Sequence, residues 1–167
     1  MDRINALGLQ QLYIPQLSYD KPQNEAFVPI LAPPAEILKT RKRIIVLVNS
    51  TLQDLGVLAY RRLQRELGVD GGSIVDFVKE LIARSMELQE EFDIFKDGVG
   101  VEDPASETPG VIVMNCGQLL FSYKFAEAKT VTSWNAMPRK SAATEPPQIT
   151  EVWIRSVKLW ILSLIAV

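Results

Sequence analysis

The hydrophobic pattern changes character several times along the chain. Ile44-Ile45-Val46-Leu47-Val48 is a continuous aliphatic run without polar alternation, the signature of a strand buried on both faces in a parallel sheet. From Asp54 the period lengthens. Leu55, Ala59, Leu63 and Leu67 recur every fourth residue, Arg61, Arg62 and Arg65 fall mostly elsewhere, and Gly68 stands where a helix would stop; this predicts an amphipathic helix. After Gly71-Gly72, Ser73 and Asp76 resemble a capping box, with Asp in place of Glu or Gln, opening a helix through Ile74, Phe77, Val78, Leu81 and Leu88. Residues 96–110, with Gly98, Gly100, Pro104 and Pro109, read as a surface loop before a second apolar run, Val111-Ile112-Val113-Met114-Asn115. Two such strands joined by helices predict an α/β fold, a mostly parallel sheet flanked by helices with a right-handed crossover. No internal repeat is visible.

The two ends differ from this middle. Pro15, Pro22, Pro29, Pro33 and Pro34 break up the scattered apolar positions of residues 1–42, which read as an irregular N-terminal arm. The arm runs into Lys39-Thr40-Arg41-Lys42-Arg43, a cluster that first of all solvates the start of a strand, a phosphate contact or nuclear signal being the sharper alternative. Residues 43–151 form the predicted domain. Between Val152 and Val167 only Arg155, Ser156, Lys158 and Ser163 are not apolar. As a helix this tail would reach about 24 Å, short of the roughly 30 Å hydrocarbon core, so a membrane span is not expected. It reads as an element completing the core, as an interfacial anchor for which Trp153 and Trp160 are suited, or as a non-native end.

Composition narrows the function classes. With 167 residues, 47% hydrophobic and 23% charged, the chain matches one ordinary globular domain. Eighteen basic against 20 acidic residues leave a net charge of -2, too balanced for the broad positive field of a dedicated nucleic-acid binder, so any RNA contact is local. With 0 His and 1 Cys, the chain offers no Ser-His-Asp or Cys-His arrangement, no imidazole ligand, no internal disulfide and no multi-thiolate site. No cofactor or metal is expected. The polar opening Met1-Asp2-Arg3-Ile4-Asn5 lacks the form of a secretory leader, making an intracellular location the expectation. The sequon Asn49-Ser50-Thr51 is discounted accordingly.

The chemical motifs are mostly negative. Neither a Walker loop nor a GxGxxG fingerprint occurs, and Gly68-Val69-Asp70-Gly71-Gly72 is a helix stop and turn. Glu87, Glu90, Glu91 and Asp93 read as a solvated helix end rather than a metal site. Ser50 follows a strand but lacks the glycines of a nucleophile elbow; Cys116 precedes Gly117 but has no His to activate it and reads as a buried, inert thiol. In α/β sheets ligands sit beyond the carboxyl ends of strands, which directs attention to Asn49-Ser50 and Asn115-Cys116-Gly117-Gln118.

Four strings taken in order resemble one family: RIIVLVNSTLQDLGVLAYRRL (Arg43 to Leu63), GSIVDFVKEL (Gly72 to Leu81), PGVIVMNCGQLLFS (Pro109 to Ser122) and SWNAMPRKS (Ser133 to Ser141). They are similar to the fungal domain of Argonaute-binding protein 2, also found behind class II histone deacetylases, over roughly residues 25 to 151. The resemblance implies a partial α/β-hydrolase-like fold with an eroded catalytic apparatus, acting as a scaffold in Argonaute small-RNA complexes or in heterochromatin and histone deacetylase complexes of the nucleus or cytoplasm. It singles out Asn49, Asp54, Gly56, Tyr60 and Arg61 in the first half, and Asn115, Gly117, Gln118, Trp134, Pro138 and Arg139 in the second, as framework positions before ligand contacts. Gly56 would let a helix start pack closely, Gln118 satisfy backbone groups at a strand end, Trp134 bury a large apolar face and Arg139 pair with an acidic partner. Beyond Ile149-Thr150-Glu151-Val152 the chain departs from the family pattern, the expectation being a truncated or misread product. The leading expectation is a noncatalytic interaction protein. An esterase-like hydrolase and a peripheral membrane protein held by residues 152–167 are its rivals.

Overall fold

The apolar run after the predicted loop becomes the second strand from one edge of a four-stranded sheet. The computed structural model describes residues 2–59, 71–85 and 108–138. Along them run helix α1 (Asp2–Ala6), strands β1 (Gln10–Ile14) and β2 (Val28–Ala32), helix α2 (Ala35–Thr40), strand β3 (Ile44–Val48) and helix α3 (Ile74–Ser85). Strand β4 (Gly110–Met114), the hairpin β5 (Leu120–Ser122) and β6 (Glu127–Lys129), and helix α4 (Val131–Asn135) follow. The sheet order is β1-β2-β4-β3. β3 and β4 are parallel in register Ile44↔Gly110 to Val48↔Met114, while β1–β2 and β2–β4 are antiparallel.

This is a mixed α/β arrangement, and it corrects the expectation of a mostly parallel sheet: one of its three strand pairs is parallel. The correction originates in residues 1–42, which are no irregular arm. The prolines there mostly bound strands instead of preventing them: Pro15 follows β1, and Pro33-Pro34 separate β2 from α2. Between these stops β1 and β2 pair over five residues, and all of Val28–Ala32 are buried. The apolar positions that looked scattered in sequence, Leu9, Ile14, Phe27, Ile30 and Leu31, are core residues, because a five-residue strand fits between turn residues and β2 is covered on both faces.

Helix α3 supplies the other half of that core. Ser73 Oγ accepts the Val75 N–H at 3.2 Å, satisfying one of the orphan donors at the helix start. Ile74, Val75, Val78 and Ile82 are buried against Leu7, Leu9, Leu31, Val111 and Val113. Each such side chain contributes about 1.5–3 kcal/mol relative to its exposed state. The opposite sheet face carries a smaller cluster of Ile14, Ile30 and Met114. A third, of Tyr13, Phe27 and Phe121, is joined by edge-to-face rings at 4.9 Å.

Two further expectations are corrected. β3 is not buried on both faces: Ile44, Val46 and Val48 are 50%, 53% and 67% exposed, while Ile45 and Leu47 are half-buried. Its residues face the α3 side and the opposite side alternately, and only the α3 side is covered by described residues. The helix predicted from Asp54 does not start there. Residues 54–59 form turns, with Gly56 at φ +85° and Val57 bridging to Ser73. The remainder of that predicted helix, Leu88, the loop residues 96–107 and the tail 152–167 lie outside the described residues.

Candidate functional site

The carboxyl ends of the parallel pair β3 and β4 bring Asn49 and Asn115 side by side in register, each one residue beyond its strand. Both are buried, at 5% and 2% exposure, and a buried primary amide must spend its donors and acceptor on neighbours. Asn49 donates from its backbone N–H to the Met114 carbonyl (2.9 Å) and from Nδ2 to the Asp54 carbonyl (2.8 Å). Gln53 Nε2 likewise donates to the Leu58 carbonyl at 3.0 Å. These bonds hold residues 49–58 as a compact loop and compete with a helix at Asp54, as side-chain-to-backbone bonds do. Gly56, buried and at positive φ, accepts from Ile74 N at 2.8 Å, and a Cβ there would stand 3.3 Å from Ile74 Cγ2. Gly56 therefore packs the loop against the start of α3.

Asn115 organises the second loop. Its Oδ1 accepts from the N–H groups of Gly117 (3.2 Å) and Gln118 (2.9 Å), an Asx turn closing on itself. Its Nδ2 donates to Gln118 Oε1 at 2.8 Å and to the Pro29 carbonyl at 3.1 Å. The second bond has a specific reason. Pro29 lies inside β2, has no N–H for the ladder, and β2 registers with β4 only at Leu31↔Val113. Asn115 supplies a bond between the strands where the ladder does not.

Gln118 then joins the two loops, its Oε1 also accepting Leu55 N–H at 3.1 Å. Gly117 is pressed into the same seam: a Cβ on it would lie 2.2 Å from the Gln53 carbonyl oxygen and 3.0 Å from that of Ser50. Its requirement is space, not an unusual backbone angle. Cys116 between them is half-buried, and burial pushes its thiol above the ordinary value of 9.0, so at neutral pH it stays protonated and weakly nucleophilic. Ser50 is exposed, with its hydroxyl accepting from Leu52 N–H at 3.4 Å.

Beside this junction a cleft of about 290 Å³ opens over the β1–β2 end of the sheet, lined by Tyr13, Lys21, Phe27, Leu31, Leu55 and Gln118 among others. The Tyr13 hydroxyl donates to Gln11 Oε1 at 2.8 Å, and burial raises its pKa. It is a hydrogen-bonding phenol at neutral pH and no base. The cleft offers an apolar floor with the amides of Gln11 and Gln118 and the charged side chains of Lys21 and Glu127 at its walls.

Of the positions singled out in sequence, Asn49, Asp54, Gly56, Asn115, Gly117 and Gln118 meet at this junction. Trp134 does not. It is buried at 6% exposure on α4, a helix capped by Thr130, whose Oγ1 accepts Ser133 N–H at 3.1 Å; exposed Pro138 follows. Tyr60, Arg61 and Arg139 lie outside the described residues. Gln53 and Pro29 are also working parts: Gln53 stands beside Asp54 in the first family string, whereas nothing in sequence pairs Pro29 with Asn115.

A family model, the Arb2 domain, matches residues 1–158. The chain belongs to the Arb2 domain family. The match includes β1 and β2, in keeping with their place in the sheet. No curated protein and no solved structure matches this Arb2 domain. Among the described residues, no group of His, Cys, Asp or Glu is placed to hold a metal ion, and no helix is long and apolar enough to cross a membrane.

Proposed function

We propose that this Arb2 domain is a noncatalytic interaction module, the core of an α/β-hydrolase-like scaffold that serves small-RNA silencing or heterochromatin assembly. Its partners in this reading are Argonaute or histone deacetylase complex proteins, and its place is the nucleus or cytoplasm. One observation carries the noncatalytic part. Where an α/β enzyme keeps its ligand-binding groups, the four amides of Asn49, Gln53, Asn115 and Gln118 are bonded to backbone or to one another. Gly117 leaves no room between the loops for a substrate atom. The chain has 0 His to serve as base.

The partner assignment rests on the family. A tagged chain expressed in a fungal host is expected to capture Argonaute or deacetylase-complex proteins under conditions in which a full-length family member does so. Absence of both sinks the partner assignment. Ester turnover by the purified chain, lost in Ser50→Ala or Cys116→Ala, overturns the noncatalytic assignment.

A further inference from the structure

The cleft beside the strand-end junction is built on a rigid base. Its floor is a patch of the β1–β2 ladder in direct register, Gln11↔Leu31 and Tyr13↔Pro29, positions two apart that share one face of the sheet. Phe27 and Leu55 extend the apolar surface, and every residue that lines the cleft is among the described ones. Phe27 is itself fixed edge-to-face against Tyr13 and Phe121, at 4.9 Å from each. The volume of about 290 Å³ matches the lower end of small-molecule sites, on the order of 300 Å³.

The polar groups at its walls differ in what they have already bonded. Gln118 Oε1 accepts from the Leu55 N–H at 3.1 Å and from Asn115 Nδ2 at 2.8 Å. A backbone N–H can only donate, so this amide has one orientation and Nε2 is the end left over. Gln11 Oε1 is likewise taken, by the Tyr13 hydroxyl at 2.8 Å. Among the described residues neither Nε2 has a partner and neither is a buried orphan, so both stay accessible. Lys21 is exposed, its ammonium 5.7 Å from the centre of the Phe27 ring, and no carboxylate pairs with it there. Glu127, the acidic side chain among the lining residues, is held by Lys129 at 2.5 Å. The cleft is left with unspent donors and one positive charge over an apolar floor.

We propose that this cleft binds a small apolar carboxylate, a flat ring system carrying one carboxyl group. An ionised carboxylate only accepts, which matches walls that only donate: Gln118 Nε2, Gln11 Nε2 and the Lys21 ammonium are the groups that would hold it, the last as a charge-assisted bond. The body of the ligand would displace water from Phe27, Leu31 and Leu55. A neutral alcohol leaves the Lys21 charge unanswered, and an ammonium ligand meets a like charge and no free acceptor but the Tyr13 oxygen and the carboxylate that Lys129 already holds. The inference goes beyond the interaction reading and does not depend on which protein the domain meets. Leu55 and Gln118 also join the two strand-end loops, so an occupied cleft would stabilise that junction.

The test uses the full chain with cinnamate as the probe, and with cinnamyl alcohol and acetate to present the ring or the carboxylate alone. Titration followed by amide NMR is expected to show cinnamate moving the side-chain amide signals of Gln118 and Gln11. Its affinity is expected to exceed that of cinnamyl alcohol about five-fold or more, with the gap narrowing in high salt, and acetate to bind more weakly than cinnamate. Lys21→Gln, at an exposed position, is expected to weaken cinnamate about three- to five-fold with unchanged circular dichroism, and Lys21→Arg to restore most of the loss. Gln118→Glu keeps an acceptor for Leu55 and Asn115 and turns only the free end from donor to negative charge, so it is expected to abolish cinnamate binding while cinnamyl alcohol still binds. Equal affinity for cinnamate and cinnamyl alcohol, no saturable shift at Gln118 with millimolar cinnamate, or affinity untouched by Lys21→Gln would each overturn the proposal. So would tighter binding of a peptide ending in phenylalanine with a free carboxyl group, which would make the cleft a chain-end receptor instead of a small-molecule site.

Discussion

Gly117→Ala tests whether the two strand-end loops are as tightly joined as their geometry requires. The added Cβ would sit 2.2 Å from the Gln53 carbonyl oxygen, where real contacts essentially never fall below 3.0 Å, so about 0.8 Å of relief has to come from backbone in a close-packed seam. Gln53 does not yield independently. Its N–H bonds to the Ser50 carbonyl at 3.1 Å and its side chain to Leu58 at 3.0 Å, while Asn49 holds Asp54 at 2.8 Å. Moving the other loop instead strains the Asn115 Oδ1 turn and the Gln118 bond to Leu55. Overpacking of this kind costs about 1–3 kcal/mol, and each hydrogen bond lost adds about 1 kcal/mol. The sum is about 2–4 kcal/mol. With a urea slope of about 2 kcal/mol per molar, the unfolding midpoint should fall by about 1–2 M. Gly110→Ala is the matched control. Its Cβ would meet the mobile tip of Leu38, Cδ2, at 2.8 Å, and a rotamer change relieves it for less than about 1 kcal/mol. A Gly117→Ala midpoint within about 0.25 M of the parent, followed by circular dichroism, would falsify the account of a closed seam.

Asn115→Ala removes four hydrogen bonds and orphans the Pro29 carbonyl, so a loss of about 2–4 kcal/mol is expected in the same urea experiment; a loss under about 0.5 kcal/mol contradicts the bridging role. Thr130→Ala deletes the cap of α4 and should cost about 1 kcal/mol, lowering Tm by roughly 2–4 °C, with Thr130→Ser restoring most of it. Cys116 should alkylate slowly with iodoacetamide at neutral pH, faster only on alkaline titration past its ordinary 9.0; rapid labelling at pH 7 refutes the protonated, half-buried thiol. Folding holds the ionisations of Cys116, Tyr13 and Tyr19 above their ordinary 9.0, 10.0 and 10.0. The unfolded chain therefore loses these protons first, and stability present below about pH 9 should decline as pH rises through that window, with the Cys116 share absent in Cys116→Ser.

Local order was legible wherever one short stretch carries its own instruction. Ser73 with the apolar spacing of Ile74, Phe77, Val78 and Leu81 marks α3, and the run around Val113 marks β4, because capping and side-chain period are properties of adjacent residues. The amides Asn49, Asn115 and Gln118, set just after apolar runs, were also visible as candidates. Composition alone decided that no imidazole chemistry is possible within this chain, since 0 His needs no fold to interpret.

Other features depend on which segments meet. Ile44-Ile45-Val46-Leu47-Val48 reads as doubly buried, yet every second residue is exposed, since burial of a strand depends on what covers each face and not on its own hydrophobicity. Residues 1–42 read as broken by proline, yet β1 and β2 pair with each other, and β2 with β4. The Asp54 stretch reads as helix, yet Asn49, Gln53 and Gly56 draw its backbone into turns. The bond from Asn115 to Pro29 spans 86 positions, and the clash that reserves position 117 for glycine comes from Gln53. Sequence determined which residues carry hydrogen-bonding capacity and apolar surface; only the tertiary structure decided which of them satisfy one another and which stay exposed, because that choice rests on contacts between segments far apart in the chain.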